Sequence, residues 1–78
     1  MAKLQTYDAR VQAPGQNIVP LGPVMAENDD QARYELGRLV RMKHAKAPID
    51  EDSDVWLFRP DKSEVEPQSK VGEHLIRR

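Results

Sequence analysis

A chain of 78 residues with 38% hydrophobic residues is one domain, and at this length folding buries only about 60% of the unfolded surface, so its core is thin. The absence of cysteine excludes disulfides, thiolate metal ligands and thiol nucleophiles together. Twelve basic against 13 acidic residues give a net charge of −1, which excludes a global pull toward phosphate and makes any charge effect local.

Lys3 to Val11 alternates, with Tyr7, Ala9 and Val11 on one side and Thr6, Asp8 and Arg10 on the other. That is the period of a half-buried strand, and the out-of-phase Leu4 sets its start near Gln5. Pro14-Gly15 is preset for a turn, so a return strand through Ile18 and Val19 follows, limited to a sheet edge by Pro20 and Pro23. Leu21, Val24 and Met25 are then expected to pad the open end of the core, with Met25 close to the position of an N-terminal apolar staple.

Asn28 to Lys46 has a clear helical period. Ala32, Leu36, Leu39 and Val40 fall on one face, with the stem of Lys43 at its edge. Asn28 is a good N-cap and Gln31 stands where a capping box needs it. Asp29 and Asp30 at the start and Arg41, Lys43, His44 and Lys46 at the end complement the helix dipole, and Pro48 stops the helix.

Ile49 to Asp54 reads as a solvated acidic loop, and Val55-Trp56-Leu57-Phe58 as a compact strand near the centre of a sheet. Pro60-Asp61-Lys62-Ser63 marks a type I turn, so Glu64-Val65-Glu66 is expected to return as a short charged edge strand ended by Pro67. Ser69 is the expected cap of a short C-terminal helix with Val71, Leu75 and Ile76 as its apolar stripe, and Gly72 counts against that helix. The expected fold is α+β: a three- or four-stranded, mainly antiparallel sheet with the main helix packed on one face and the short helix at the end.

Opposite the apolar stripe of the long helix, Tyr34, Arg38 and Arg41 recur at i, i+4 and i+7, flanked by Arg33 and His44, with Lys43 nearby. Arginines that pair with phosphate beside a ring that stacks on a base would suit single-stranded nucleic acid, although a charged helix back is also the ordinary solvated surface. Trp56 and Phe58 share one face of their strand, and an uncovered aromatic pair marks a contact with a partner or a second copy unless the terminal helix covers it. With Asp50, Asp52 and Asp54 they form the alternative surface, a protein-binding one suited to a replication or regulatory protein. The same apolar face offers a homodimer interface.

Asp50, Asp52 and Asp54 echo the opening of a calcium loop, but Val55 stands where glycine is required and Asp61 where a glutamate belongs, so no metal is expected. His44 and His74 have no nucleophile or carboxylate at a suggestive spacing and read as solvated surface residues. No glycine-rich phosphate loop exists, and neither an enzyme nor a cofactor is expected. The opening Met1-Ala2-Lys3-Leu4-Gln5 lacks the apolar stretch of a signal peptide, and no run approaches the roughly 18 apolar residues of a membrane span, so the expected location is the cytoplasm, with no membrane partner.

Tyr7-Asp8 with Arg10-Val11, Asp30 with Ala32, Asp54-Val55-Trp56-Leu57, Asp61, Glu66-Pro67 and the closing Leu75-Ile76-Arg77 follow a distinctive order over nearly the whole chain. In this order the chain resembles the small nonstructural protein of microviruses, the single-stranded DNA phages of the gokushovirus type. It departs from that family at Phe58-Arg59-Pro60-Asp61, where members often close the strand with a glycine and an acidic turn. The resemblance implies a nonenzymatic phage accessory in genome replication or packaging, contacting single-stranded DNA or the replication machinery in the host cytoplasm.

Overall fold

The computed structural model describes residues 3–65 and 68–75. Strand β1 (Gln5–Gln12) and strand β2 (Val19–Ala26) form a hairpin, followed by helix α1 (Asp29–Lys46), strand β3 (Asp54–Phe58), the two-residue strand β4 (Ser69–Lys70) and helix α2 (Val71–Leu75). The strands lie in the order β2-β1-β3-β4, with every neighbouring pair antiparallel. β1 and β3 are therefore central, as the apolar character of β3 predicts.

The alternation fixes which face is covered. Tyr7, Ala9 and Val11 of β1 and Val55 and Leu57 of β3 are buried under Ala32, Leu36 and Val40 of α1, with Leu39 half-buried at the margin. The helix begins as its sequence dictates: the Asn28 side chain accepts from Gln31 N at 2.8 Å. The Gln31 side chain reaches one residue further back than a capping box would, accepting from Glu27 N at 2.6 Å.

β2 is longer than its prolines predict. Leu21 and Val24 reach the core as expected but Met25 does not, and all three lie in a strand that runs to Ala26. Gln16 N donates to Ala13 O at 2.9 Å across the Pro14-Gly15 turn, where Gly15 has φ +74. The strand then tolerates Pro20 and Pro23 because it is an edge, and a bulge resets its register: Ala9 faces Gly22 but Arg10 faces Pro20, leaving Leu21 as the extra residue. Gly22 takes φ +144, which L side chains rarely adopt, and Leu21, Val24 and Ala26 all reach the core. Met25 points outward at 50% exposure and staples nothing; its sulfur accepts from the Thr6 hydroxyl at 3.2 Å.

At the other edge, Lys62 N donates to Arg59 O at 2.8 Å around Pro60 and Asp61, and Lys62 takes φ +73. The expected strand Glu64–Glu66 contracts to one bridge between Phe58 and Glu64, with Val65 N donating to Leu57 O at 2.7 Å. Glu66, Pro67 and Ile76 lie outside the described residues. The edge beside β3 passes to Ser69 and Lys70, so Ser69 is a strand residue and not a cap. Glu73 takes over that role by accepting from Lys70 N at 2.8 Å.

The acidic loop supplies the partners that so short a helix lacks. Val71 N donates to Ser53 O at 2.9 Å and Gly72 N to Glu51 O at 3.0 Å, which satisfies two donors of the first turn of α2. A Cβ on Gly72 would lie 3.3 Å from Glu51 O, so the glycine that argues against a helix is what lets the loop approach. Leu36→Ala is expected to cost roughly 2–5 kcal/mol by opening a cavity. Gly22→Ala should cost about 1 kcal/mol or more through backbone strain. The exposed Met42→Ala should stay within about 0.5 kcal/mol. Urea unfolding at pH 7 ranks the three.

Candidate nucleic-acid interface

The outward side of α1 carries the predicted stripe, and tertiary packing divides it. Tyr34, Arg38 and Arg41 line a groove of about 630 Å³ between α1 and the edge strand β2, with Met25, Leu39 and Met42 as its apolar floor. Tyr34 is 65% exposed there, so its ring is available to a ligand. Arg38 is also exposed, and its Nη1 meets Glu35 Oε1 at 3.2 Å, a surface pair that water competes with and that a phosphate can displace.

Arg41 is only half-open. Its Nη1 donates to the His74 carbonyl at 3.1 Å, so part of its hydrogen-bonding capacity is spent on the end of α2. The cause is local: Gly37 has no side chain, and a Cβ there would meet Arg41 Nη1 at 3.2 Å and His74 Nδ1 at 3.4 Å. Arg33 lines a different and smaller cavity of about 180 Å³ with Ser69, Glu73 and His74. Lys43 is exposed in the last turn, where its carbonyl accepts from Ala47 N at 2.9 Å. Tyr34, Arg38 and Arg41 thus share the groove, Arg41 with one donor committed elsewhere, while Arg33 and Lys43 stand apart from it.

On the far side of the sheet the register places Asp8 against Phe58 and Arg10 against Trp56. Neither helix lies there: α2 packs on α1, so the terminal helix does not cover the aromatic pair. The Trp56 and Phe58 rings are parallel to within 5° with centroids 6.4 Å apart, and the Arg10 guanidinium stands 5.8 Å from the Phe58 centroid. Asp54 lines the same strand face but is held by Lys70 Nζ at 3.0 Å. Asp50 and Asp52 stay in the exposed preceding turn, where Asp50 Oδ1 accepts from Asp52 N at 2.9 Å. Among the described residues no group of three or more His, Asp or Glu side chains is arranged to hold a metal ion.

One polar network escapes sequence reasoning because it joins distant segments. Asp29, in the first turn of α1, accepts from the buried Tyr7 hydroxyl at 2.9 Å and from Arg59 Nη2 at 2.7 Å. Arg59 also reaches the Glu64 carbonyl at 3.0 Å, so one guanidinium ties the helix start to the β3 turn. These bonds, from Arg59 first and then Tyr7, hold the Asp29 carboxyl below the usual carboxylate range. Burial, reinforced by Asp29, pushes the Tyr7 phenol up. A buried tyrosine needs a partner for its hydroxyl, and that was the available hint.

The histidines are half-buried, not solvated. His44 Nδ1 accepts from Ile49 N at 3.0 Å, and His74 Nε2 lies 2.8 Å from Ser69 Oγ. Burial pushes His74 below the ordinary histidine value, helped by Arg41 and opposed by Glu73. Glu73 is occupied with Lys70 N, so no described carboxylate orients the imidazole, and the Ser69–His74 contact ties β4 to α2.

No described helix is long and apolar enough to cross a membrane. Comparison with protein-family models, characterised proteins and solved structures gives no match to the chain.

Two pH effects follow. With its carboxyl held low in the fold, Asp29 adds stability above about pH 4 that is lost as pH falls through the folded value. The denaturation midpoint should therefore drop between pH 7 and pH 2.5, and the drop should shrink in Asp29→Asn. His74 favours its neutral form in the fold, so its contribution is present above about pH 6.5 and erodes below it. The midpoint should decline from pH 8 to pH 5 in the native chain and less in His74→Gln.

Proposed function

We propose that the protein is a nonenzymatic accessory in the replication or packaging of a single-stranded DNA genome, and that it meets the DNA through the outward side of α1. The setting comes from the resemblance to the microvirus nonstructural protein. The observation that carries the contact is the pairing of a 65%-exposed Tyr34 ring with the exposed Arg38 on one wall of an open groove. A base stacks on the ring while the guanidinium takes the adjoining phosphate bidentately, a geometry a lysine there would not reproduce.

Arg33 and Lys43 stand apart from this pair, and in this reading they take phosphates of the same strand beyond the groove. Arg41 contributes less than its sequence position implies, because its Nη1 is committed to the His74 carbonyl. With a net charge of −1 the attraction is confined to this face, so binding is weak at physiological salt and strengthens steeply as salt is lowered.

Measured by fluorescence anisotropy with labelled oligothymidine, the log–log salt slope should flatten by roughly 0.7 for each of Arg33, Arg38 and Lys43 replaced by glutamine. Tyr34→Ala should weaken binding at every salt concentration without changing the slope. A wild-type chain that leaves the oligonucleotide free at low salt would remove this reading.

A further inference from the structure

We infer that the uncovered face of the sheet holds a second nucleic-acid site, a slot for one unpaired nucleobase and its phosphate built on Phe58. This rests on the single-stranded DNA reading and adds a base-dependent contact on the side of the molecule opposite α1. A cavity of about 360 Å³ opens there, lined by Asp8, Arg10, Phe58, Arg59, Pro60 and Lys62. Its volume is at the low end of small-ligand pockets, which span about 300–1,000 Å³.

Three cations and one carboxylate line the slot, and with Asp29 paired to Arg59 the excess positive charge there is that of Lys62. Arg10 is paired with Asp8 at 2.9 Å, with both side chains about half exposed, and Arg59 is fixed by Asp29 at 2.7 Å. Arg59 is therefore a rigid wall, while the exposed pair at Arg10 can exchange its carboxylate for a phosphate oxygen. Lys62 stands in the turn with φ +73 and lines the slot.

The aromatic geometry favours a flat partner over a protein side chain. Phe58 already has one parallel neighbour in Trp56 and a guanidinium over its ring, so a base entering beside it extends an existing stack. A nucleotide brings charge only at its phosphate, which Arg10 and Lys62 can reach on the side away from Asp54.

Because Trp56 is the only tryptophan, its emission reports on this slot and not on the groove of α1. The experiment titrates the full chain at low salt with oligothymidine of eight nucleotides and with an abasic oligomer of the same length. Oligothymidine should quench Trp56 emission and the abasic strand should not. Phe58→Leu, which keeps apolar bulk but removes the stacking face, should weaken oligothymidine binding by roughly 5- to 150-fold. Lys62→Gly, which suits φ +73 and so leaves the turn intact, should weaken it and flatten the salt slope by roughly 0.7.

Oligothymidine bound with unchanged Trp56 emission and full affinity in Phe58→Leu would overturn the slot and leave the α1 contact standing. Equal quenching by the abasic strand would also overturn it. A Trp56 response to protein concentration alone would do the same, by showing that a second copy covers the face. An oligonucleotide that binds nowhere removes both sites.

Discussion

Everything in this molecule depends on there being too little helix to cover two sides of a sheet. One 18-residue helix and one five-residue helix lie together on the face of Tyr7, Ala9, Val55 and Leu57, and among the described residues no helix is left for the other. The opposite face must then be soluble without a cover. It manages this by setting charges beside rings, Arg10 next to Phe58 and Asp8 next to Arg10, so that apolar surface is shared with the stems of polar side chains. The same arrangement makes that face chemically expressive: the rings stay partly reachable and the charges stay mobile.

The covered side is held less by area than by junctions. Asp29 gathers β1, α1 and the turn after β3 through Tyr7 and Arg59, and Glu51 and Ser53 lend their carbonyls to α2. Each of these bonds closes a long stretch of chain. In a domain with so thin a core they determine which way the helices face, and hence which arginines are left outside. Arg41 shows the cost, since the carbonyl at the end of α2 takes a donor that the outer face of α1 would otherwise present.

What the sequence disclosed was whatever is local and periodic. The α1 stripe, its Asn28 cap and the alternation around Tyr7 need only neighbours a few residues away, and all were legible, whereas which face of Val55-Trp56-Leu57-Phe58 is buried was not. β2 was only half legible, because Pro20, Gly22 and Pro23 break strands by local rule and are tolerated here by an edge position and a bulge that only the sheet reveals. The candidate site divided in the same manner. The outward placement of Tyr34 and Arg38 follows from helical spacing alone. The diversion of Arg41, the separation of Arg33 and the exposure of the Trp56 and Phe58 pair all depend on where α2 docks, and a five-residue helix carries too little pattern to announce that.

The docking of α2 also sets how the fold comes apart. This last element is anchored by one fully buried side chain, Val71, and by a few polar bonds to Glu51, Ser53 and Arg41, while the hairpin and α1 share most of the core. Its opening free energy therefore lies below that of the whole domain, and the structure has a graded resistance to unfolding with α2 as the first latch to release. Releasing it would bare the small cavity beside Leu36, Val55 and Leu57 and return Arg41 to solvent, so the reach of the basic face is coupled to the fastening of the chain's last helix.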